Sequence, residues 1–133
     1  MSYFLDTNTC IQLLKNSYPA LTERFSSQRP SSIKVPAMVQ AELLAGAREG
    51  ADYAGIIRKI ELFLSPLEIV GFDEKAAVSF GEMRARLNRA SVKIGPYDLI
   101  IAATVMSRDG ILVTSNTKEF SRVEGLIIEN WTK

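Results

Sequence analysis

The chain has 133 residues, 47% of them hydrophobic, and a net charge of +1 from 16 basic and 15 acidic side chains. That apolar content suits one core, so residues 1–133 are expected to form a single domain, and it is too high for a disordered chain. No apolar run approaches a membrane span, no basic region followed by an apolar stretch marks a signal peptide, and near-neutral charge neither demands nor excludes a nucleic-acid partner.

Histidine is absent and Cys10 is the only cysteine. Ser-His-Asp and Cys-His catalysis are excluded, as are zinc sites built on imidazole or several thiolates. A lone thiol cannot form an internal disulfide, which fits a reducing cytoplasm. Any metal would be a hard cation held by oxygen, and proton transfer would fall to carboxylates, lysines, tyrosines or metal-bound water.

The chain opens with Tyr3-Phe4-Leu5, an apolar run that reads as a buried strand ending at Asp6. Thr7 to Lys15 reads as a short helix, with Thr7 or Asn8 able to cap it. Pro19 opens a second helix carrying Leu21 and Phe25, which the polar stretch from Ser26 to Ser32 ends. Ile33-Lys34-Val35 is a β-branched second strand. Pro36 suits the first turn of a helix that runs through Ala45 toward Gly46 or Gly50. A fourth helix begins near Ala51, presents Tyr53, Ile56, Ile57, Ile60, Phe63 and Leu64 on one face, and stops at Ser65-Pro66.

Leu67 to Val70 is a third strand. Asp73 caps the next helix, whose Ala76, Phe80, Met83, Leu87 and Ala90 repeat at threes and fours. Gly95-Pro96 then precedes a helix from Tyr97 to Met106 that is apolar almost all round, hence buried. Asp109-Gly110 is a turn and Ile111-Leu112-Val113 a fourth strand. Asn116 and Glu119 have the spacing of a capping box for a short helix. Leu126-Ile127-Ile128 is a last strand. This alternation predicts an α/β fold: a three-layer sandwich with a central parallel sheet of four to five strands between helices.

Most acidic residues lie among polar neighbours and read as solvated surface. Asp6 differs, because it ends a buried strand where ligands bind in such sheets; it is also a natural helix N-cap. Glu42 falls in the apolar stripe of Val39, Leu43 and Gly46, where an unpaired charge is costly unless its head reaches water. Asp98 sits in the first turn of an apolar helix, a position the helix dipole favours by itself. Glu119 is either a fourth member or half of the capping box, with Asn116 and Ser115 adding polar groups at the end of the fourth strand. Carboxylates gathered at one sheet edge repel, and a divalent cation with oxygen ligands resolves that conflict. Such a site implies phosphodiester hydrolysis.

The ordered set Phe4-Leu5-Asp6-Thr7-Asn8, Ala41-Glu42-Leu43 with Gly46, Gly95-Pro96-Tyr97-Asp98 with Ile101-Ala102-Ala103, Leu112-Val113-Thr114-Ser115-Asn116, Glu119-Phe120 and Glu129-Asn130-Trp131 resembles the PIN-domain ribonucleases. It is most similar to the VapC toxins of bacterial toxin–antitoxin pairs. The resemblance covers nearly the whole chain. It implies a PIN-like fold and an endoribonuclease dependent on Mg²⁺ or Mn²⁺, which cuts RNA by metal-activated water. It also implies a homodimer and inhibition by a cognate VapB-like antitoxin, in complexes that reach operator DNA only through the antitoxin. Asp6, Glu42 and Asp98 fall on the family's acidic positions, and Glu119 and Asn116 compete for the fourth. Thr7, Asn8 and Ser115 would be supporting polar residues. The Gly-Pro-Tyr-Asp and Glu-Asn-Trp segments look like those of the subgroup that cuts initiator tRNA in the anticodon stem-loop.

Arg86, Arg89 and Lys93, read as sharing one helix face after Arg84, form a candidate phosphate-contacting rim that Lys118 and Arg122 could extend; an ordinary solvated face is the alternative. The apolar second and fourth helices are core, or offer a groove to an antitoxin helix. Two other functions compete. One is a non-catalytic PIN-like module that binds RNA or protein. The other is a phosphotransferase with Asp6 as nucleophile, which would need a second Asp where Asn8 stands.

Overall fold

Strands of three or four residues alternate with helices, and each strand is too short to be stable except inside a sheet covered by them. The computed structural model describes residues 1–133. Its strands are β1 (Tyr3–Leu5), β2 (Ile33–Pro36), β3 (Glu68–Val70), β4 (Ile111–Val113) and β5 (Ile127–Glu129). The helices are α1 (Thr7–Leu14), α2 (Pro19–Ser26), α3 (Ala37–Arg48), α4 (Tyr53–Leu64), α5 (Glu74–Arg89), α6 (Pro96–Ser107) and α7 (Thr117–Phe120). A single 3-10 turn, Pro30–Ser32, precedes β2.

All strands pair in parallel, in the order β3-β2-β1-β4-β5. The chain builds outward from β1 through β2 to β3, then returns to β1's other side for β4 and β5. The strand order therefore reverses between β1 and β4, and their carboxyl ends flank the crevice where such sheets bind ligands. Register places Leu5 beside Val113, so Asp6 and Thr114 leave the sheet together.

The core explains the apolar patterns. Phe4, Leu5, Val35, Ile101 and Leu112 are fully buried, as are Phe120 and Trp131. Helix α6 is buried along Leu99 and Ile101 to Val105, as its apolar composition requires. Cys10 is buried, and burial, then the nearby Asp6 charge, push its thiol up, so it packs as a small apolar residue. Phe25, Ile57 and Phe63 pack on the core, and Phe25 stacks with Phe63 at 5.7 Å. Tyr53 departs from the expected inward face: it is 49% exposed.

Local chemistry moves some predicted boundaries. Pro36 is the last residue of β2 and the extended N-cap of α3, with φ −60° and ψ 142°, not the helix's first residue. Thr7 and Asn8 do not cap α1; Asp6 does, accepting from the Thr9 amide at 2.9 Å. The last strand starts at Ile127, because Gly125 turns with φ +86° and Leu126 closes onto the Val123 carbonyl. Lys93 is not on the helix of Arg86 and Arg89. Helix α5 ends at Arg89 and is stopped by Ser91, with φ +56° and the Val92 amide on the Leu87 carbonyl.

Candidate active site

Asp6 is the centre of the polar network at the β1–β4 crevice. It is buried to 4% exposure yet fully hydrogen-bonded. One carboxylate oxygen caps α1, and the other accepts from Thr114 Oγ1 at 2.5 Å. Thr114 in turn receives the Asn116 amide at 2.9 Å. Thr9 ties α1 to β4 through the Val113 carbonyl, 3.0 Å away. Burial pushes the Asp6 carboxyl up, the Thr114 and Thr9 hydrogen bonds oppose this, and the Glu42 charge adds to the rise.

Glu42 comes from α3, between buried Val39 and Leu43 on one side and the site on the other. It is only partly buried, and its Oε1 accepts from Thr7 Oγ1 at 2.6 Å. Thr7 is thus a supporting hydroxyl. Asn8 is exposed on the first turn of α1. Ser115 accepts from Gln12 Nε2 at 3.2 Å, a link between β4's end and α1.

Asp98 lies in the first turn of α6, after Gly95-Pro96, where the free helix N–H groups face it. Its carboxyl is pushed up to about 7, first by burial, then by its hydrogen bond and charge interaction with Glu119, then by Glu42 and Asp6. A proton is therefore shared near neutrality between Asp98 and Glu119. Glu119 goes the other way. Burial would raise it, but bonds from the Gly95 amide, Asn116 and Asp98 outweigh that and lower it.

The predicted capping box does not form. The Asn116 side chain does not cap α7; its Nδ2 donates to Glu119 Oε2 at 2.8 Å. Glu119 Oε1 accepts from the Gly95 amide at 3.0 Å instead of the Asn116 amide. Glu119 thereby clasps the start of α6 to the β4–α7 loop. A methyl at Gly95 would stand 3.7 Å from Glu119 Oε1 and 3.9 Å from Asp98 Oδ2, so both acids border this glycine.

The sequence reading missed Thr114 as an Asp6 donor and Gln12 as a Ser115 partner. No local pattern marks Thr114, whose partner lies 108 residues away in the chain. The basic rim is sorted unevenly: Arg86 faces Glu124 at 3.8 Å, while Arg89 and Lys118 are exposed.

Asp98 thus feels the charges of Glu119, Glu42 and Asp6, and Asp6 that of Glu42, across the crevice. The donor set is all oxygen, which suits Mg²⁺ or Mn²⁺. No three acidic, histidine or cysteine side chains stand close enough to grip one ion alone. A shell completed by water and substrate oxygens is the arrangement Mg²⁺ prefers. The residues therefore fit a hard divalent cation.

A parallel sheet in this order, with acids at its switch point, defines a class of α/β proteins with a carboxylate-lined crevice. Residues 3–126 match the PIN domain, and the chain belongs to the PIN-domain family. It is 37% identical over 131 residues to the tRNA(fMet)-specific endonuclease VapC of Salmonella typhimurium, covering 98% of each chain. It is 36% identical over 136 residues to ribonuclease VapC2 of Rickettsia felis, covering all of both. The fold superposes on DNA-bound VapBC from Salmonella typhimurium with a TM-score of 0.93, at 37% identity and 98% coverage of both chains.

Proposed function

We propose that this protein is a divalent-metal-dependent endoribonuclease toxin of the VapC type, formed by residues 1–133 as one PIN domain. The observation that carries the reading is the convergence of Asp6, Glu42, Asp98 and Glu119 on one crevice from the end of β1, α3, α6 and α7, where burial and then Glu119, Glu42 and Asp6 push the Asp98 carboxyl up. Full-length similarity to VapC endonucleases supports RNA, and in particular initiator tRNA, as the substrate.

Asp6, Glu42 and Asp98 would hold the cation through a shell completed by water and substrate oxygens, since the three do not close on one ion by themselves, with Glu119 and Asn116 behind Asp98. Bound Mg²⁺ or Mn²⁺ would neutralise charge on the scissile phosphate and acidify the attacking water. Thr114 and Thr9 keep the Asp6 carboxylate aimed, and Thr7 does the same for Glu42. The Asp98–Glu119 pair would give up its proton to solvent on binding a cation. In the hydrolysis itself, water oxygen would bond to phosphorus as the bond from phosphorus to the leaving ribose oxygen breaks, one water proton passing to solvent and the leaving oxygen taking a proton from solvent.

The partner reading rests on a groove of about 390 Å³ between α1, α3 and α4. Ile11, Leu14, Leu43, Ala47, Ile56 and Ile60 line it, and Glu42 lies on its wall. An antitoxin helix with an apolar face fits there and would cover the site. A homodimer acting in the cytoplasm, bound to operator DNA only through the antitoxin, completes the proposal.

The test is cleavage of bulk tRNA with Mg²⁺ by the natural protein, Asp6→Asn and Asp98→Asn. Both variants should lose activity by at least about a hundredfold, as loss of several kcal/mol of metal stabilisation requires. Equal cleavage by all three contradicts the mechanism. No cleavage by any, with no growth arrest on expression, favours a binding module.

A further inference from the structure

Four carboxylates at the crevice repel a polyanion, so an RNA substrate needs cations beside them that are not already neutralised. Three basic side chains do not meet that need, because carboxylates already oppose them. Arg86 faces Glu124 at 3.8 Å, and Arg24 and Lys34 pair with Glu129 and Glu68.

Arg84 and Lys93 have no carboxylate within salt-bridge distance. They line one groove of about 340 Å³ with Asn88, over an apolar floor that includes Leu87, Val92 and Ile94. That volume lies in the range of ligand clefts, roughly 300–1,000 Å³. The construction is local and specific. Arg84 and Asn88 are four apart on α5, hence on one face. The left-handed turn at Ser91 folds the chain back so that Lys93 returns to that face. Arg122 Nη1 then holds the Lys93 carbonyl at 2.9 Å. Pro96 and Leu99 form the other wall, and Gly95, which the Asp98 and Glu119 carboxylates border, lies in the chain between Ile94 and Pro96 of that lining.

We propose that the Arg84–Asn88–Lys93 groove is the RNA subsite next to the catalytic crevice, taking a nucleotide that flanks the scissile phosphate. Arg84 and Lys93 contact its phosphate, Asn88 supplies a neutral hydrogen-bonding group, and the apolar floor receives the sugar or base. Arg86 is outside this subsite. The inference rests on the ribonuclease reading and adds which cations carry the substrate.

The experiment uses bulk tRNA and the full chain. It compares the natural protein, Arg84→Gln with Lys93→Gln together, and Arg86→Gln, with thermal melts confirming that all are folded. The double variant should raise KM for cleavage at least fivefold and leave kcat within twofold. Its plot of log binding constant against log salt should be shallower by roughly 0.7–0.9 per removed contact. Arg86→Gln should match the natural protein within twofold. Cleavage by the natural protein, with unchanged KM and salt slope in the double variant, overturns the subsite alone. An equal effect from Arg86→Gln overturns it too, since the cations would then act only as diffuse charge. Absence of RNA cleavage by the natural protein overturns the ribonuclease reading and the subsite with it.

Discussion

Asp6 performs two tasks with one side chain. Capping α1 and presenting an anion to the crevice are compatible because the cap uses one oxygen and Thr114 steadies the other. Thr114 is thus as much a part of the site as an acid. Thr114→Val keeps the shape but removes the donor, leaving Asp6 Oδ2 and the Asn116 amide each short of a partner. A buried polar group left in that state costs about 1–3 kcal/mol. Urea unfolding should show that loss, and Thr114→Ser should restore most of it. An unchanged midpoint in Thr114→Val would contradict the assigned role. Asp6, Glu42 and Asp98 were legible as candidates in the sequence because each breaks an apolar pattern, whereas Glu119 stood out only by its spacing from Asn116. Thr114 was not legible, because its partner lies 108 residues away and a threonine after a strand breaks no pattern.

At the scale of elements, periodicity and turn residues were enough to place every helix and strand in order. Two of the misread details arise where a distant group or a chain reversal overrides a local spacing. Asn116 and Glu119 have capping-box spacing, but the Gly95 amide of a distant loop takes the Glu119 oxygen. Lys93 continues the spacing of Arg86 and Arg89, but Ser91 ends the helix first. Strand order was also beyond reach, since nothing local tells β4 to lie beside β1. One close approach enforces that pairing: at Gly110, just before β4, a Cβ would run into the Phe4 ring of β1. Gly110→Ala must therefore push β1 and β4 apart or displace a buried ring. Overpacking of this kind typically costs about 1–3 kcal/mol. A thermal or urea melt reads it, and Gly46→Ala, in the interior of α3 where a Cβ meets nothing within 4 Å, serves as the comparison and should gain about 0.5–1 kcal/mol. Equal stabilities in the two variants would show that the β1–β4 contact tolerates the extra carbon.

For the whole molecule, the sheet order brings Asp6 from β1's end, Glu42 from α3, Asp98 from α6 and Glu119 from α7 to one crevice. That convergence has a thermodynamic signature. Asp98 has its folded pKa raised from 3.8 to about 7. A proton therefore binds the folded chain more tightly than the unfolded one. Its stabilising contribution is complete below about pH 3.8 and is lost as pH rises through about 7. With chelator present, the natural protein should lose stability relative to Asp98→Asn across that window, because asparagine mimics the neutral acid. In the proposed site a cation would replace the proton above it. The most direct measurement is the unfolding midpoint at pH 7.5, with and without Mg²⁺, for the natural protein and Asp98→Asn. The account predicts that Mg²⁺ at about a hundredfold above its dissociation constant stabilises the natural protein by about 2.7 kcal/mol. It predicts little or no gain for the variant. An equal gain in both, or none in either, would contradict a shared cation site at this crevice.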